Sequence, residues 1–280
     1  MEAFFLPVEH ADGARLCIHH PPAGALPARG AVLYLPPFAE EMNKSRRMVA
    51  MQSRALAAQG YAVLCIDLHG CGDSSGELAD ASWQGWIEDA LAAARWLQAR
   101  HPGLPLWLWG LRTGALLAGA AAAALGPGCG LLLWQPVIAG KQALQQFLRL
   151  QAAADLIEGK QQGATAALKQ QLAQGQAVDV AGYRLPPAVA LGLEAAILQP
   201  LESTASLRWL EVTSRAEPAL TPASALALDK WRAAGVPVHA AAVRGPAFWQ
   251  TVEIEDAPAL IDATLAAMAT AGAPQAEQRA

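Results

Sequence analysis

Short apolar runs alternate with longer amphipathic segments along most of the chain. In segment 83–100, for example, apolar residues recur at the spacing of one helical face, at Trp83, Trp86, Ile87, Ala90, Leu91, Ala94 and Leu97. The pattern predicts strands at 4–8, 15–19, 31–35, 61–68, 106–109, 130–134, 207–212 and 237–243, and helices at 45–59, 83–100, 113–125, 223–234 and 258–271. This alternation is typical of a mostly parallel sheet with helices on both faces. The predicted class is therefore α/β.

Two parts of the chain depart from that alternation. The first two strands are short, and Asp12-Gly13 between them suits the tight turn of an antiparallel hairpin. Between Pro136 and Pro200 the sequence becomes rich in glutamine and alanine, with one possible short strand at 178–183. We predict a single domain over 1–280 with a lid inserted at about 137–200, although an ordinary helical excursion fits the same pattern. Residues 272–280 are predicted to be frayed.

The composition and net charge of the chain limit the class of protein and the kinds of partner that we expect. With 54% hydrophobic and 16% charged residues among 280, the chain can bury a large core, which excludes a disordered class. A net charge of -4 argues against binding to nucleic acid, and the basic cluster Lys44-Ser45-Arg46-Arg47 is too short to change that expectation.

Cysteine usage and hydropathy bear on the compartment. The four cysteines show no C-x-x-C spacing, so we expect reduced core thiols and a cytoplasmic location. The chain begins without a basic leader, and its longest apolar stretch, 115–125, is shorter than the roughly 20 residues that cross a bilayer. Neither a signal peptide nor a membrane span is expected.

The pentapeptide Gly110-Leu111-Arg112-Thr113-Gly114 has the frame of a G-x-S-x-G nucleophile elbow, with arginine at the position of the nucleophile. In such an elbow a buried strand ends at a tight turn and a helix begins directly behind it. The apolar run 106–109 and the small-residue segment 113–125 supply that strand and helix. The chemistry of this site therefore depends on what an arginine can do at the position of the nucleophile.

Several further motifs carry a resemblance to the α/β-hydrolase superfamily. Residues 67–76, Asp-Leu-His-Gly-Cys-Gly-Asp-Ser-Ser-Gly, resemble its D-x-H-G-x-G-x-S loop and precede the elbow in the expected order. In more detail, the chain resembles the second hydrolase-type family associated with the exosortase A system, at 36–47, 109–112, 133–136 and 245–249. That resemblance implies an α/β-hydrolase fold and a context of protein sorting and exopolysaccharide production in Gram-negative bacteria. It also implies that arginine at the elbow is the family's own pattern, and that a component of that machinery is a possible partner.

In the superfamily an acid and then a histidine follow the nucleophile. The acid position falls after the strand 207–212, where Glu217 is available, and the histidine position falls after 237–243, where the chain has Trp249 in Gly-Pro-Ala-Phe-Trp. The last histidine, His239, lies inside that strand and is expected to pack there. Arginine stays protonated and tryptophan cannot relay a proton, so ordinary serine hydrolysis is not expected.

The altered site has two possible roles. By resemblance, the oxyanion hole uses the backbone amides of Phe38 and Thr113, and with Arg112 it would bind a carboxylate, phosphate or acyl oxygen. Alternatively a carboxylate, Glu40, Glu41 or Glu217, pairs with Arg112 and fills the site, with Glu41 or Glu40 preferred because they should face the elbow. Trp134, Gln135 and Trp249 are expected to line the pocket, although tryptophans at strand ends are just as often core residues.

Two function classes follow. The first is a hydrolase-fold protein that binds an acyl or anionic ligand, or a partner of the export machinery, in the old cleft. The second is an esterase, thioesterase or acyltransferase with unconventional residues, for which Cys71 and Ser74 are candidate nucleophiles and His69 the candidate base. No cofactor or metal is expected, since the six histidines are scattered, His19-His20 point to opposite strand faces, and 70–72 lacks the third glycine of a dinucleotide loop.

Overall fold

The computed structural model describes residues 1–23, 27–157, 164–201 and 203–269. Within them the strands are β1 (Glu2–Pro7), β2 (Ala14–His20), β3 (Gly30–Leu35), β4 (Tyr61–Ile66), β5 (Leu106–Leu111), β6 (Gly130–Trp134), β7 (Val178–Val180), β8 (Tyr183–Leu185), β9 (Ser206–Thr213) and β10 (Val238–Arg244). The helices are α1 (Glu40–Ala58), α2 (Trp83–Arg100), α3 (Gly114–Leu125), α4 (Gly140–Ile157), α5 (Ala164–Ala173), α6 (Pro187–Ala195), α7 (Pro222–Ala233) and α8 (Pro258–Ala269). The predicted frayed tail, 272–280, lies outside the described residues.

The described strands form one large sheet and one small one. The large sheet has the order β1-β2-β4-β3-β5-β6-β9-β10, in which β1 and β2 pair antiparallel, β2 and β4 pair antiparallel, and the other neighbours pair parallel. The carboxyl ends of β3, β5, β6, β9 and β10 therefore lie along the same edge. This is the α/β-hydrolase arrangement that the sequence predicts, with the hairpin turning at Gly13, whose φ is 86°.

Two boundaries differ from the prediction in ways that matter for the site. Helix α1 begins at Glu40 and not at Ser45, so the acidic pair expected on a loop forms the first helical turn instead. Carboxylates are stabilised there by the positive end of the helix dipole. The short strand predicted at 178–183 is an antiparallel hairpin, β7 and β8, that turns at Ala181 and Gly182, both with positive φ.

The core lies on both faces of the large sheet. On one face α2 and α3 cover the sheet, and on the other α1 and α8 pack against aromatic residues of β3, β5 and β6. Trp134 belongs to this second layer: it is fully buried, and its indole N–H donates to the Thr264 hydroxyl at 2.9 Å. The expectation that Trp134 lines the pocket is therefore wrong, because its ring points into the sheet–helix interface.

Segment 136–200 connects β6 to β9 and contributes helices above the carboxyl edge of the sheet. α4 packs against α6, and Gly140 at the start of α4 lies so close to the backbone of Leu193 that a Cβ would collide with its carbonyl oxygen. The role of this segment as a lid stays a prediction.

The structure also bears on the expected state of the cysteines and on the expected lack of a membrane-spanning helix. All four cysteines are free thiols, with Cys17, Cys71 and Cys129 buried and Cys65 half-buried, as expected. No helix in the described part of the chain combines the length and the apolar character needed to span a bilayer.

Candidate active site at the nucleophile elbow

The turn between β5 and α3 has the strained geometry of a nucleophile elbow. Arg112 occupies its apex with φ 54°, a left-handed conformation that is uncommon for a non-glycine residue. A Cβ on Gly110 would overlap the backbone of Ala115, and a Cβ on Gly114 would overlap the carbonyl oxygens of Leu35 and Pro36. Both glycines of the motif are thus required for the close approach of α3 to β3 and β5. The sequence frame is a true elbow.

Arg112 reaches from the apex toward two side chains. Its Nε donates to Glu41 Oε1 at 3.1 Å, and its guanidinium lies 5.5 Å from the ring centroid of Trp249. The predicted pairing of Arg112 with Glu41 is confirmed. It is a partial seal, because Nε makes the hydrogen bond to Glu41, the two terminal guanidinium nitrogens have no partner among the described residues, and the side chain keeps 19% exposure.

Two neighbouring influences act in opposite directions on the pKa of Glu41. Burial raises its pKa, and the neighbouring Arg112 guanidinium opposes that rise. Ala39, the residue that caps α1, has φ 56° and ψ -139°, a region that favours glycine almost exclusively. This strained residue directly precedes the helical turn that carries Glu41.

A cavity of about 300 Å³ opens beside Arg112. Of the residues predicted to bind a ligand, it brings together Phe38, Glu40, Glu41, Arg112, Thr113 and Trp249. The rest of the described lining comes from the residue before α1, from α4 and from the residue after Trp249: Ala39, Ala143, Gln146, Phe147, Leu150 and Gln250. The cavity has one charged end, formed by Arg112, Glu40 and Glu41, and largely apolar walls.

The remaining predicted site residues lie elsewhere. Gln135 bonds to the backbone of β9 with both its side chain and its main chain. Its side-chain oxygen accepts from the Val212 amide at 2.8 Å, and its backbone amide donates to the Leu210 carbonyl at 2.8 Å. Glu217 lies on the exposed loop after β9 and is absent from the cavity lining. The buried carboxylate at that end of β9 is Glu211, which accepts from the indole of Trp209 at 2.8 Å. The acid position inferred from the superfamily order, after β9, therefore supplies no carboxylate to the elbow cavity.

His239 is placed where the sequence expected it, inside β10. It is the second residue of that strand, at the end of the sheet away from the elbow, and it pairs in register with Arg208. Burial lowers the pKa of His239, and the charge of Arg208 lowers it further. No histidine lines the elbow cavity in the described part of the chain.

Two backbone amides remain available at the elbow. Phe38 follows β3 and Thr113 follows the apex, and both residues line the cavity. Neither amide has a hydrogen-bond partner among the described residues. These are the positions from which an oxyanion hole is built in this fold, so the elbow retains donors for an anionic oxygen.

The candidate displaced nucleophiles, Cys71 and Ser74, are structural residues of the glycine-rich loop, residues 67–76. Cys71 is buried, which raises the pKa of its thiol to about 12 and leaves it protonated. Ser74 donates to the carbonyl of Asp67 at 2.6 Å and accepts from the amide of Leu16 at 2.9 Å. Neither residue lines the elbow cavity.

His69, the candidate base, also has a structural role. Its ring accepts from Arg15 at 3.0 Å, its amide donates to Asp89 at 2.8 Å, and its carbonyl accepts from the indole of Trp86 at 3.0 Å. Burial lowers the pKa of His69, and the Arg15 charge adds to that effect. These contacts make His69 part of the structure of the loop 67–76.

Sequence reasoning missed the wall of the cavity that α4 supplies. Ala143, Phe147 and Leu150 recur at i, i+4 and i+7, a spacing that marks one helical face and could have singled them out. It also missed the anchors of α1: the Tyr183 hydroxyl donates to Glu40 at 3.0 Å, and Lys44 donates to the Val252 carbonyl at 2.7 Å. Those contacts depend on folding and leave no local pattern.

The sequence matches the family described as serine aminopeptidase, S33, over residues 27–181, more than half of the chain. The chain belongs to this family. A human protein, ABHD12B, is 31% identical over 117 residues, which make up 42% of this chain and 30% of that protein. The chain therefore matches less than a third of the length of its human relative.

Solved structures share the fold. Est1E from Butyrivibrio proteoclasticus with bound ferulic acid has a TM-score of 0.66 at 14% identity, covering 95% of this chain and 98% of that one. A thermostable carboxyl esterase from Bacillus coagulans has a TM-score of 0.59 at 14% identity, covering 87% and 90%. Mouse α/β hydrolase domain-containing protein 10 has a TM-score of 0.57 at 15% identity, covering 97% of each. The α/β-hydrolase fold is thereby shown.

Proposed function

We propose that this member of the serine aminopeptidase S33 family has lost the serine triad and binds an acyl or anionic ligand, or the acyl or anionic group of a partner, in the former active-site cleft. The observation that carries the proposal is Arg112 at the apex of an intact elbow. A guanidinium there has no lone pair for attack on an acyl carbon. The same group, with two terminal nitrogens that bond to no described residue, suits bidentate binding of a carboxylate or phosphate.

The surroundings of Arg112 support a ligand with both an anionic and an apolar part. The amides of Phe38 and Thr113 add donors beside the guanidinium, and Phe147 and Leu150 supply apolar wall. Leu150 keeps 51% exposure, so the apolar wall continues to the surface. A carboxylate with a short hydrocarbon chain is the simplest molecule that fits this order of groups.

Arg112→Ala is expected to weaken binding of octanoate by about 10- to 100-fold, because a hydrogen bond to a charged group contributes about 1.5 to 3 kcal/mol. Isothermal titration of octanoate measures this loss, with octan-1-ol as the ligand that lacks the carboxylate. Arg232→Ala, which removes an exposed arginine paired with Asp229 on α7, is the matched control and should bind like the wild type. Equal affinity of wild type and Arg112→Ala would overturn the proposed role of the arginine.

Glu41→Gln is expected to tighten octanoate binding by about fivefold. The glutamate places a negative charge beside the ligand carboxylate, and an interaction between partly exposed charges is worth up to about 1 kcal/mol. The same titration at constant ionic strength measures the gain. Weaker binding by this variant would mean that Glu41 helps to hold the ligand and would contradict the expected repulsion.

We further propose that the protein acts with the exosortase-associated machinery for protein sorting or exopolysaccharide production. The support is the set of sequence motifs at 36–47, 109–112, 133–136 and 245–249, which includes Glu41, Arg112 and Trp249 of the cavity. An affinity-tagged copy, expressed in a Gram-negative host that carries this machinery, should co-purify one of its components. Recovery of the same proteins as from an untagged strain would count against the association.

A further inference from the structure

A second cavity, of about 210 Å³, is formed between α1 and the strands β2, β3 and β4. It shares no lining residue with the elbow cavity. Its walls are mostly apolar, with Leu16, Ile18, Met42, Val49, Ala50 and Ile66 among the lining residues. Contacts of this kind favour the apolar body of a small molecule.

Tyr34 brings a hydroxyl without a protein partner to this cavity. The residue is only 5% exposed and lines the cavity, and no hydrogen bond joins its hydroxyl to another described residue. The hydroxyl is therefore free to bind water or a ligand atom in the cavity. The hydroxyl can donate or accept a hydrogen bond, which makes it a built anchor for a polar ligand atom.

The ion pair between Arg46 and Asp67 forms the rest of the polar end. Arg46 Nη2 donates to Asp67 Oδ2 at 2.9 Å, and the same oxygen accepts from the amide of Asp73 at 3.2 Å. Both side-chain hydrogen bonds of Asp67 are made by Oδ2, so Oδ1 is left without a partner among the described residues in a carboxylate that is 10% exposed. The cavity thus presents one free carboxylate oxygen beside one free hydroxyl.

The charge balance of this end selects against an ion. The guanidinium of Arg46 is paired with Asp67, Met1 brings the amino terminus to the lining, and burial lowers the pKa of His20. A carboxylate ligand would lie beside Asp67, and an ammonium ligand would lie beside Arg46 and the amino terminus. A neutral ligand with both a donor and an acceptor avoids both repulsions.

We propose that this cavity is a second ligand site, for a neutral carboxamide with an aromatic or short aliphatic body. The amide carbonyl accepts from the Tyr34 hydroxyl, the amide N–H donates to Asp67 Oδ1, and the body packs between Ile18 and Val49. The volume suits a molecule of about one ring, below the usual range for drug-sized ligands. The site goes beyond the proposed function, because the elbow cavity and Arg112 take no part in it.

Benzamide is the probe that tests this site, with binding followed by chemical-shift changes in the full chain. Saturable binding is expected for the wild type, with an affinity about fivefold lower for Tyr34→Phe, the loss expected for one hydrogen bond. Ala50→Phe, at a half-buried position of the lining, should abolish binding by filling the cavity. Benzoate should bind more weakly than benzamide, and Arg112→Ala should bind benzamide like the wild type.

Three results would overturn the proposal. They are the absence of saturation up to the solubility limit of benzamide, unchanged binding by Ala50→Phe, and loss of binding in Arg112→Ala, which would place the probe in the elbow cavity. Each variant is first compared with the wild type by circular dichroism and by its unfolding midpoint. If Ala50→Phe is unfolded, Ile18→Phe fills the same cavity from β2 and takes its place.

Discussion

Arg112→Ser is expected to leave the protein without measurable turnover of p-nitrophenyl butyrate. The serine would enter an intact elbow at φ 54°, with the amides of Phe38 and Thr113 beside it, yet no histidine lines the described part of the cavity to take its proton. In a working serine triad, loss of the nucleophile or of the base alone costs on the order of 10⁶ in rate. Replacing one missing member therefore recovers almost nothing.

The assay for this prediction is ester hydrolysis at matched protein concentrations for the wild type, Arg112→Ser and a buffer blank. Both proteins should run at the blank rate. A robust wild-type rate that Cys71→Ala or Ser74→Ala abolishes would reverse the account in favour of the second function class, an enzyme with unconventional residues. The buried thiol and the doubly bonded hydroxyl of these two residues speak against that outcome.

Asp89→Ala is expected to destabilise the protein by about 3 to 5 kcal/mol, because it leaves a buried arginine without its counter-charge. Asp89 and Arg15 are both fully buried, and their Oδ1 and Nε atoms are 2.6 Å apart. The same carboxylate accepts from His10 at 2.9 Å and from the amide of His69 at 2.8 Å, so it ties the first hairpin to the glycine-rich loop. Urea unfolding measures the loss.

Two further variants show whether the loss arises from the uncompensated charge. The double variant Arg15→Met with Asp89→Leu should recover most of the stability, since well-packed apolar residues often replace a buried ion pair at little cost. Asp229→Ala breaks an exposed pair with Arg232 and should cost no more than about 0.5 kcal/mol. If the double variant were as unstable as Asp89→Ala, packing and not charge would be the cause.

The fold could be predicted because each strand and helix carries a local signal. Helix α2 and strand β6 have the predicted limits, since an apolar face of 3.6-residue period and a short buried run bounded by glycine are both explicit in the sequence. The start of α1 could not be predicted, because it depends on a strained Ala39 that no propensity scale anticipates. Tertiary context also made a hairpin of the segment predicted as one strand.

The prediction of the site succeeded for contacts that follow from the elbow motif and failed for contacts that depend on how the helices and strands pack. The pairing of Arg112 with Glu41 followed from charge and topology, and the structure confirms it. Gln135 was misplaced because its amide satisfies the backbone of β9, a bond that forms only when the sheet assembles. The wall from α4 was missed because the spacing of Ala143, Phe147 and Leu150 marks one helical face but not the part of the fold that this face contacts.

The two roles first considered for Arg112, anion binder and sealed plug, share one geometry. Glu41 uses a single guanidinium nitrogen and remains 30% exposed, so it stabilises the arginine in the free protein and leaves two nitrogens for a ligand. A ligand carboxylate would complete the set of hydrogen bonds without first breaking that pair.

The most direct test is a crystal structure of the protein grown with saturating octanoate. The account predicts a carboxylate within about 3.2 Å of the Arg112 guanidinium, with the hydrocarbon chain along Phe147 toward Leu150. An octanoate bound away from Arg112, or an elbow cavity that stays free of ligand at that concentration, would contradict it.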